Sequence, residues 1–314
     1  MRDATARDVG EFGLVARVVA RLGTSPSVLV GPGDDAAVVI APDGRVVATT
    51  DVLVQDVHFR LDWSTAYDVG RKAAAASLAD VAAMGGTGTA LLVGLAAPLD
   101  LPVVWATGLA DGLRDEAELV GAVVVGGDTV SSERIIVSVT ALGDLGGKAP
   151  VTRAGAQPGD RVVLAGRLGW SAAGYALLRH GGVPIEALMR AHLQPTPPYA
   201  LGPVLADLGA TSMCDVSDGL LADLGHIARA SGVHLDVESR RFAREPLLGK
   251  AARVVGGHPL DFVLTGGEDH ALVATVPPGV LLPDGVSRIG IVKAGAGVRV
   301  IGWKPTGVGW DHFS

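Results

Sequence analysis

Five short acidic clusters recur along the 314-residue chain, each beside glycine, threonine or serine: Gly33-Asp34-Asp35, Thr49-Thr50-Asp51, Ser77-Leu78-Ala79-Asp80, Gly126-Gly127-Asp128 and Asp215-Val216-Ser217-Asp218. Short carboxylates on tight turns are hard oxygen donors of the kind Mg²⁺ takes, and Mg²⁺ in turn neutralises phosphate. The chain therefore reads first as a Mg²⁺-nucleotide enzyme. Paired glycines after a strand let a phosphate approach the main chain, which singles out Gly126-Gly127-Asp128-Thr129. Each cluster also has a plain structural reading. Gly-Asp pairs form turns, threonines end strands, and an aspartate at a helix start, such as Asp218, serves as a cap. The same holds for His58 as a structural histidine, Arg153 as a solvated charge, Gly266-Gly267-Glu268-Asp269 as a turn and Trp310 as a tail anchor.

Hydrophobic periodicity supplies the elements that must hold these groups. A helical stripe over 11–22 opens the chain, and strands over 28–30, 36–40 and 46–50 follow, the last two flanking an Asp43-Gly44 turn. Both early aspartate clusters are thus expected at strand ends. The span 66–84 reads as a helix stopped by Gly85-Gly86, with Asp80 in its last turns. A carboxylate there opposes the negative end of the helix dipole, a conflict that a bound cation relieves. Strands over 91–95, 122–125 and 135–142 and a helix over 103–120 complete an α/β first half. A Gly-, Pro- and base-rich stretch over 143–159 reads as a domain connection, giving domains 1–147 and 148–314. In the second, a strand over 161–165 and helices over 171–179 and 202–208 lead to a strand over 212–216. That strand delivers Asp215 and Ser217-Asp218 to a helix over 219–230, whose N-terminus is an anion-facing position.

Composition narrows the class. Hydrophobic residues make up 48% of the chain and its 44 glycines form no repeat, a globular composition with enough length for two domains. The net charge of -7, without a long basic run, argues against nucleic acid as the main partner. Cys214 is the only cysteine, which excludes an intrachain disulfide and a cysteine-rich zinc site. No signal core and no long apolar run is present, so a cytoplasmic protein with no membrane partner is expected.

The order and combination of motifs decide among these readings. Gly31-Pro-Gly-Asp-Asp-Ala-Ala37, Thr49-Thr-Asp-Val-Leu-Val54 with His58-Phe59, and Gly70-Arg71-Lys72-Ala73 through Asp80 to Gly85 occur in sequence. Gly126 to Thr129, Thr152 to Asp160, Asp215 to Leu220, Gly266 to Asp269 and Gly309-Trp-Asp-His-Phe313 follow. In these the chain resembles the thiamine-monophosphate kinase family of the AIR synthetase-like ATP-binding superfamily, over nearly its whole length. The resemblance implies an α/β fold of two AIR synthetase-like domains with ATP between them, and a homodimer in which N-terminal strands pair across subunits. It implies that Asp34, Thr49, Thr50, Asp51, Asp80, Asp128 and Asp215 bind several Mg²⁺ ions, with Asp218 near another. Gly127, Asp128, Arg153 and Ser217 would contact ATP, and His58, Glu268 and Trp310 the thiamine phosphate. The chain departs from the family pattern at Ser77, His270, Trp310 and Gln55-Asp56, where Asn, Tyr, Tyr and Glu-Gly are frequent.

The implied reaction moves the γ-phosphoryl of ATP to thiamine monophosphate. At neutral pH the acceptor is already a dianion, its second pKa lying near about 6, so no side-chain general base is required. The obstacle is repulsion: one pair of unit charges at about 4 Å costs ~4 kcal/mol at an effective dielectric of about 20. Metal ions held by several carboxylates answer it. No Gly-x-x-x-x-Gly-Lys-Ser/Thr loop is present, which disfavours an ordinary P-loop kinase. Two rivals stand beside this reading. One is a superfamily relative that phosphorylates a carbonyl or amide oxygen, and the other a non-catalytic Mg²⁺-nucleotide sensor.

Overall fold

The computed structural model describes residues 4–32, 37–181, 184–242, 245–307 and 309, without the side chains of residues 11 and 12. The chain divides into two units, residues 1–81 with 86–148 and residues 82–85 with 149–314.

In the first unit, helix α1 (Ala6–Val19) starts earlier than periodicity suggests, because Thr5 and Asp8 form a reciprocal capping box ahead of it. Strands β1 (Val28–Val30) and β2 (Val38–Val39) make a two-stranded ribbon. They are followed by β3 (Val47–Val54), α2 (Ala66–Ala83), β4 (Thr87–Ala97), α3 (Val103–Glu118), β5 (Val123–Ser131) and β6 (Ile136–Asp144). The last four strands form one sheet in the order β3-β6-β4-β5, antiparallel except for the parallel β4/β5 pair.

Several strands extend past their expected ends, and in β3 and β5 the extension changes where candidate residues lie. β3 continues through the apolar run Val52-Leu53-Val54, so Thr49, Thr50 and Asp51 lie inside the strand and not at its end. β5 likewise runs through Gly126, Gly127 and Asp128, placing the paired glycines within a ladder and not on a turn after it. A Cβ at Gly127 would run into the Val93 carbonyl of β4, so glycine there serves strand packing.

Strand alternation gives this sheet two unlike faces. Thr49, Asp51, Leu53, Val137, Val139 and Ala141 point to the face covered by α2, where Ala74, Ala75 and Ala79 are fully buried. The small alanines let that helix lie close. The opposite face carries Thr50, Val52, Leu92 and Val130, the last three 47%, 37% and 55% exposed.

In the second unit come β7 (Arg161–Ala165), α4 (Trp170–His180), α5 (Glu186–Leu193), α6 (Leu201–Asp207), β8 (Ser212–Val216), α7 (Leu220–Ser231) and β9 (His234–Glu238). Then α8 (Pro246–Val255), α9 (Pro259–Thr265), β10 (Ala271–Val276), β11 (Val286–Lys293) and β12 (Gly297–Ile301) complete it. Its six-stranded sheet has the order β12-β9-β11-β7-β10-β8, with only β12/β9 parallel. Every residue of β10 is buried, since Ala271 and Val273 join one core with Leu220, Leu224 and Ile227 while Leu272 and Ala274 join another with Leu205 and Met213. A sheet packed on both faces holds the ends of β8 and β10 fixed.

Candidate active site

In the N-terminal unit, the sequence-predicted carboxylates meet where β3 lies beneath the C-terminal half of α2. Thr49 Oγ1 donates to Asp80 Oδ2 at 2.6 Å, and Ser77 Oγ lies 2.8 Å from Asp51 Oδ2 and 3.0 Å from the Val139 carbonyl. Thr49 and Asp51, two residues apart on a strand, share a face. Ser77 and Asp80, three apart on a helix, share another, and the two faces meet. The donor set is oxygen only, which fits a hard cation such as Mg²⁺ and not a soft one.

Three other predicted residues are not brought to this cluster. The Thr50 hydroxyl points to the opposite face, 3.2 Å from the Val139 carbonyl and accepting from Thr140 Oγ1 at 3.1 Å. Gly127 lies on the cross-strand row of Asp51 through Val139 and Val93, three strand spacings or about 14 Å away. Asp128 follows it on the Thr50 face, its Oδ1 accepting the Thr129 N–H at 2.8 Å. Asp34 and Trp310 lie outside the described residues.

His58 sits on a turn after β3, where Asp56 adopts a left-handed φ of 65°. The Val54 N–H donates to His58 Nδ1 at 3.0 Å, which fixes the neutral ring with its proton on Nε2. The buried Lys72 ammonium donates to the His58 carbonyl at 3.0 Å, tying this turn to α2. Sequence reasoning passed over Lys72 as a role of its own, although a lysine four residues before Ala76 and eight before Asp80 shares their helix face.

In the C-terminal unit, Asp215 is the buried penultimate residue of β8, and its Oδ2 lies 3.0 Å from His270 Nδ1. Its neighbours Ser217 and Asp218 occupy the loop into α7. The loop before that helix is tied to its first turns. Asp223 Oδ2 accepts the N–H groups of Asp218 and Gly219, the two residues that precede α7, at 3.2 and 3.1 Å. Burial first, then the charges of Asp215 and Asp218, push the Asp223 carboxyl up to about 7. Ligand atoms of Asp218, Asp223 and His226 lie within 4.8 Å of one another, a possible cation group among the described residues. Burial and the Arg153 and Arg229 charges lower the His226 pKa, which places the exposed Arg153 in the same neighbourhood as Asp218. The sequence carried a signal for Asp223: it stands on the stripe Leu220, Asp223, Leu224, Ile227, a carboxylate on an otherwise apolar helix face.

The segment from Gly266 to His270 is pinned along this loop. The Glu268 and His270 N–H groups donate to the Ser217 and Val216 carbonyls at 2.8 and 3.1 Å, and both residues hold left-handed φ values, 63° and 51°. Asp269 turns inward and accepts the N–H groups of Gly169 and Ser171 at 2.6 and 2.8 Å, capping the start of α4. Burial pushes its carboxyl up to about 7 against those two donors. Glu268 turns the other way, with Oε2 3.4 Å from Nδ1 of the buried His192.

Comparison with known proteins fixes the class first. Family models for AIR synthase related protein match residues 33–145 with the N-terminal domain and residues 157–301 with the C-terminal domain. Within that class the chain is 51% identical over 313 residues to the thiamine-monophosphate kinase of Mycobacterium tuberculosis, covering 98% of this chain and 93% of the relative. The crystal structure of thiamine-monophosphate kinase from Stenotrophomonas maltophilia K279a superposes with a TM-score of 0.81 at 33% identity, over 93% of this chain and 97% of that one. AaThiL complexed with AMPPCP and TMP gives 0.80 at 34% identity, over 100% and 99%. The chain belongs to the thiamine-monophosphate kinase family.

Proposed function

We infer that the chain catalyses ATP-dependent phosphorylation of thiamine monophosphate to thiamine diphosphate. What carries this reading is the end-to-end likeness to thiamine-monophosphate kinases, one of them solved with an ATP analogue and TMP together. It extends to residue roles that the geometry supports without deciding. Asp51, Asp80 and Thr49 in one unit, and Asp215 and Asp218 in the other, are assigned to Mg²⁺. Mg²⁺ held by these residues would supply charge neutralisation to the triphosphate and the acceptor phosphate. Thr50, its hydroxyl on the other face, would serve the Asp51 cluster only through its main chain. Asp34 and Asp128 keep their assignment to metal from the family resemblance alone.

The chain's own residues then bind and orient. Gly127, Asp128, Arg153 and Ser217 are assigned to ATP, and Glu268, Trp310 and His58 to the thiamine phosphate. His58 offers Nε2–H as a donor to the acceptor phosphate, its Nδ1 being engaged by Val54. No base is needed, since the acceptor oxygen is its own nucleophile. A homodimer is assigned to the open, partly apolar face of the N-terminal sheet, and a cytoplasmic location to the need for ATP. No helix of the described residues is long and apolar enough to cross a membrane. ADP release that requires thiamine monophosphate, with thiamine diphosphate as the product, is the expected result. ADP release that ignores thiamine monophosphate, or none at all with Mg²⁺ and ATP saturating, would reject the assignment.

A further inference from the structure

Glu268 is a predicted substrate residue whose side chain lies against a second, buried side chain that no motif pointed to. His192, on the last turn of α5, is almost fully enclosed, with its ring tilted against Tyr175 of α4 at a centroid distance of 5.3 Å. Its Nδ1 lies 3.0 Å from Ser171 Oγ and 3.4 Å from Glu268 Oε2. A carboxylate can only accept, so in the tautomer with its proton on Nδ1 the ring donates toward Glu268, with the Ser171 hydroxyl beside it. Glu268 itself is about one-third exposed and sits on a left-handed backbone locked to Ser217. A glutamate side chain has three rotatable bonds, and ordering one costs free energy that a substrate would otherwise have to supply.

We propose that His192 is a positioning residue for Glu268: its Nδ1–H holds the carboxylate in the orientation that receives the thiamine phosphate. This rests on the assignment of Glu268 to substrate. The imidazole is itself fixed by Tyr175 and Ser171 on α4, and the start of α4 is capped by Asp269, the neighbour of Glu268. One buried group of side chains therefore sets both the main chain and the side chain at position 268.

The test is steady-state kinetics of the full chain with Mg²⁺, varying thiamine monophosphate and ATP separately. In His192→Asn the side-chain amide nitrogen falls near the place of Nδ1, and in His192→Gln it falls near Nε2. His192→Gln should raise KM for thiamine monophosphate about tenfold with KM for ATP unchanged, while His192→Asn stays within about threefold of wild type. In a Glu268→Gln background the His192→Gln effect should shrink, because the two changes act through one contact. Equal KM values for the Asn and Gln variants, an equal rise for both substrates, or additive effects in the double variant would overturn the positioning role. Should Glu268→Gln alone leave KM for thiamine monophosphate unchanged, the substrate assignment falls and this inference with it. A rise in Glu268→Gln without one in His192→Gln sinks only the inference.

Discussion

Asp51 shows how far residue type alone carries the reading. A small carboxylate beside threonines announced an oxygen-ligand site, and the fold joins it to Asp80, Thr49 and Ser77. Asp51→Asn removes the charge and keeps the shape, and its amide oxygen can still accept from Ser77. It should lower kcat by about a hundredfold or more at limiting Mg²⁺ while the thermal midpoint stays put. Wild-type turnover in the folded variant would end the metal assignment. Asp269 was not legible in this way, since Gly-Gly-Glu-Asp looks like any turn and its partners lie about a hundred residues earlier. Its carboxyl rises from 3.8 to about 7 in the fold, so between those values the folded state keeps a proton that the unfolded chain has released. Rising pH must then cost stability across that window. Asp269→Asn should flatten that part of the stability profile measured by urea denaturation. It should also cost about 1–3 kcal/mol, since the amide can accept only one of the two N–H groups. A slope unchanged by the substitution would place the buried proton elsewhere.

Elements were easier to recognise than to delimit. Helices over 66–84 and 219–230 were readable to within a residue at each end because their apolar stripes are long and glycines stop them. β3 and β5 were cut short, since the sequence marks a Thr-Thr-Asp or Gly-Gly-Asp as an ending while the ladder with β6 and β4 continues through both. The Gly126-Gly127 pair thus has two claims on it, phosphate approach and strand packing, and one substitution separates them. Gly127→Ala should cost about 1–3 kcal/mol in chemical denaturation, because the β4 backbone cannot yield to a methyl group at Val93. A variant of normal stability but weakened ATP affinity would favour the phosphate reading instead. The tie from Asp223 back to the loop before α7 was missed for a different reason. The accepting residue lies inside the helix, four positions after Gly219, where cap rules do not look.

At the scale of the whole molecule, the two-unit organisation was visible as a change in composition, but the strand orders were not. Pairings such as β3 with β6 and β7 with β10 join residues about a hundred apart, and local patterning carries no information about them. Nor could it separate the two faces of the N-terminal sheet, because both carry valine and threonine. The open face bears Val52, Leu92 and Val130 near the polar Thr50 and Thr140. That mixture suits a surface covered by a second subunit. Val52→Lys should shift sedimentation from dimer toward monomer at micromolar concentration while the C-terminal unit stays folded. A wild-type chain that sediments as a monomer under all conditions would remove the open face from consideration as an interface.

The run Glu268-Asp269-His270 sends three consecutive side chains to α5, to the start of α4 and to Asp215 of β8. Two left-handed residues flank the inward aspartate, so the backbone of the run is held in a sparsely populated conformation. Under the proposed roles, one end of this run touches the organic substrate and the other a metal-binding carboxylate. If occupancy at one end biases the other, thermodynamic reciprocity requires the bias to be equal in both directions. Whatever factor Mg²⁺ adds to the affinity for thiamine monophosphate, the substrate must return to Mg²⁺.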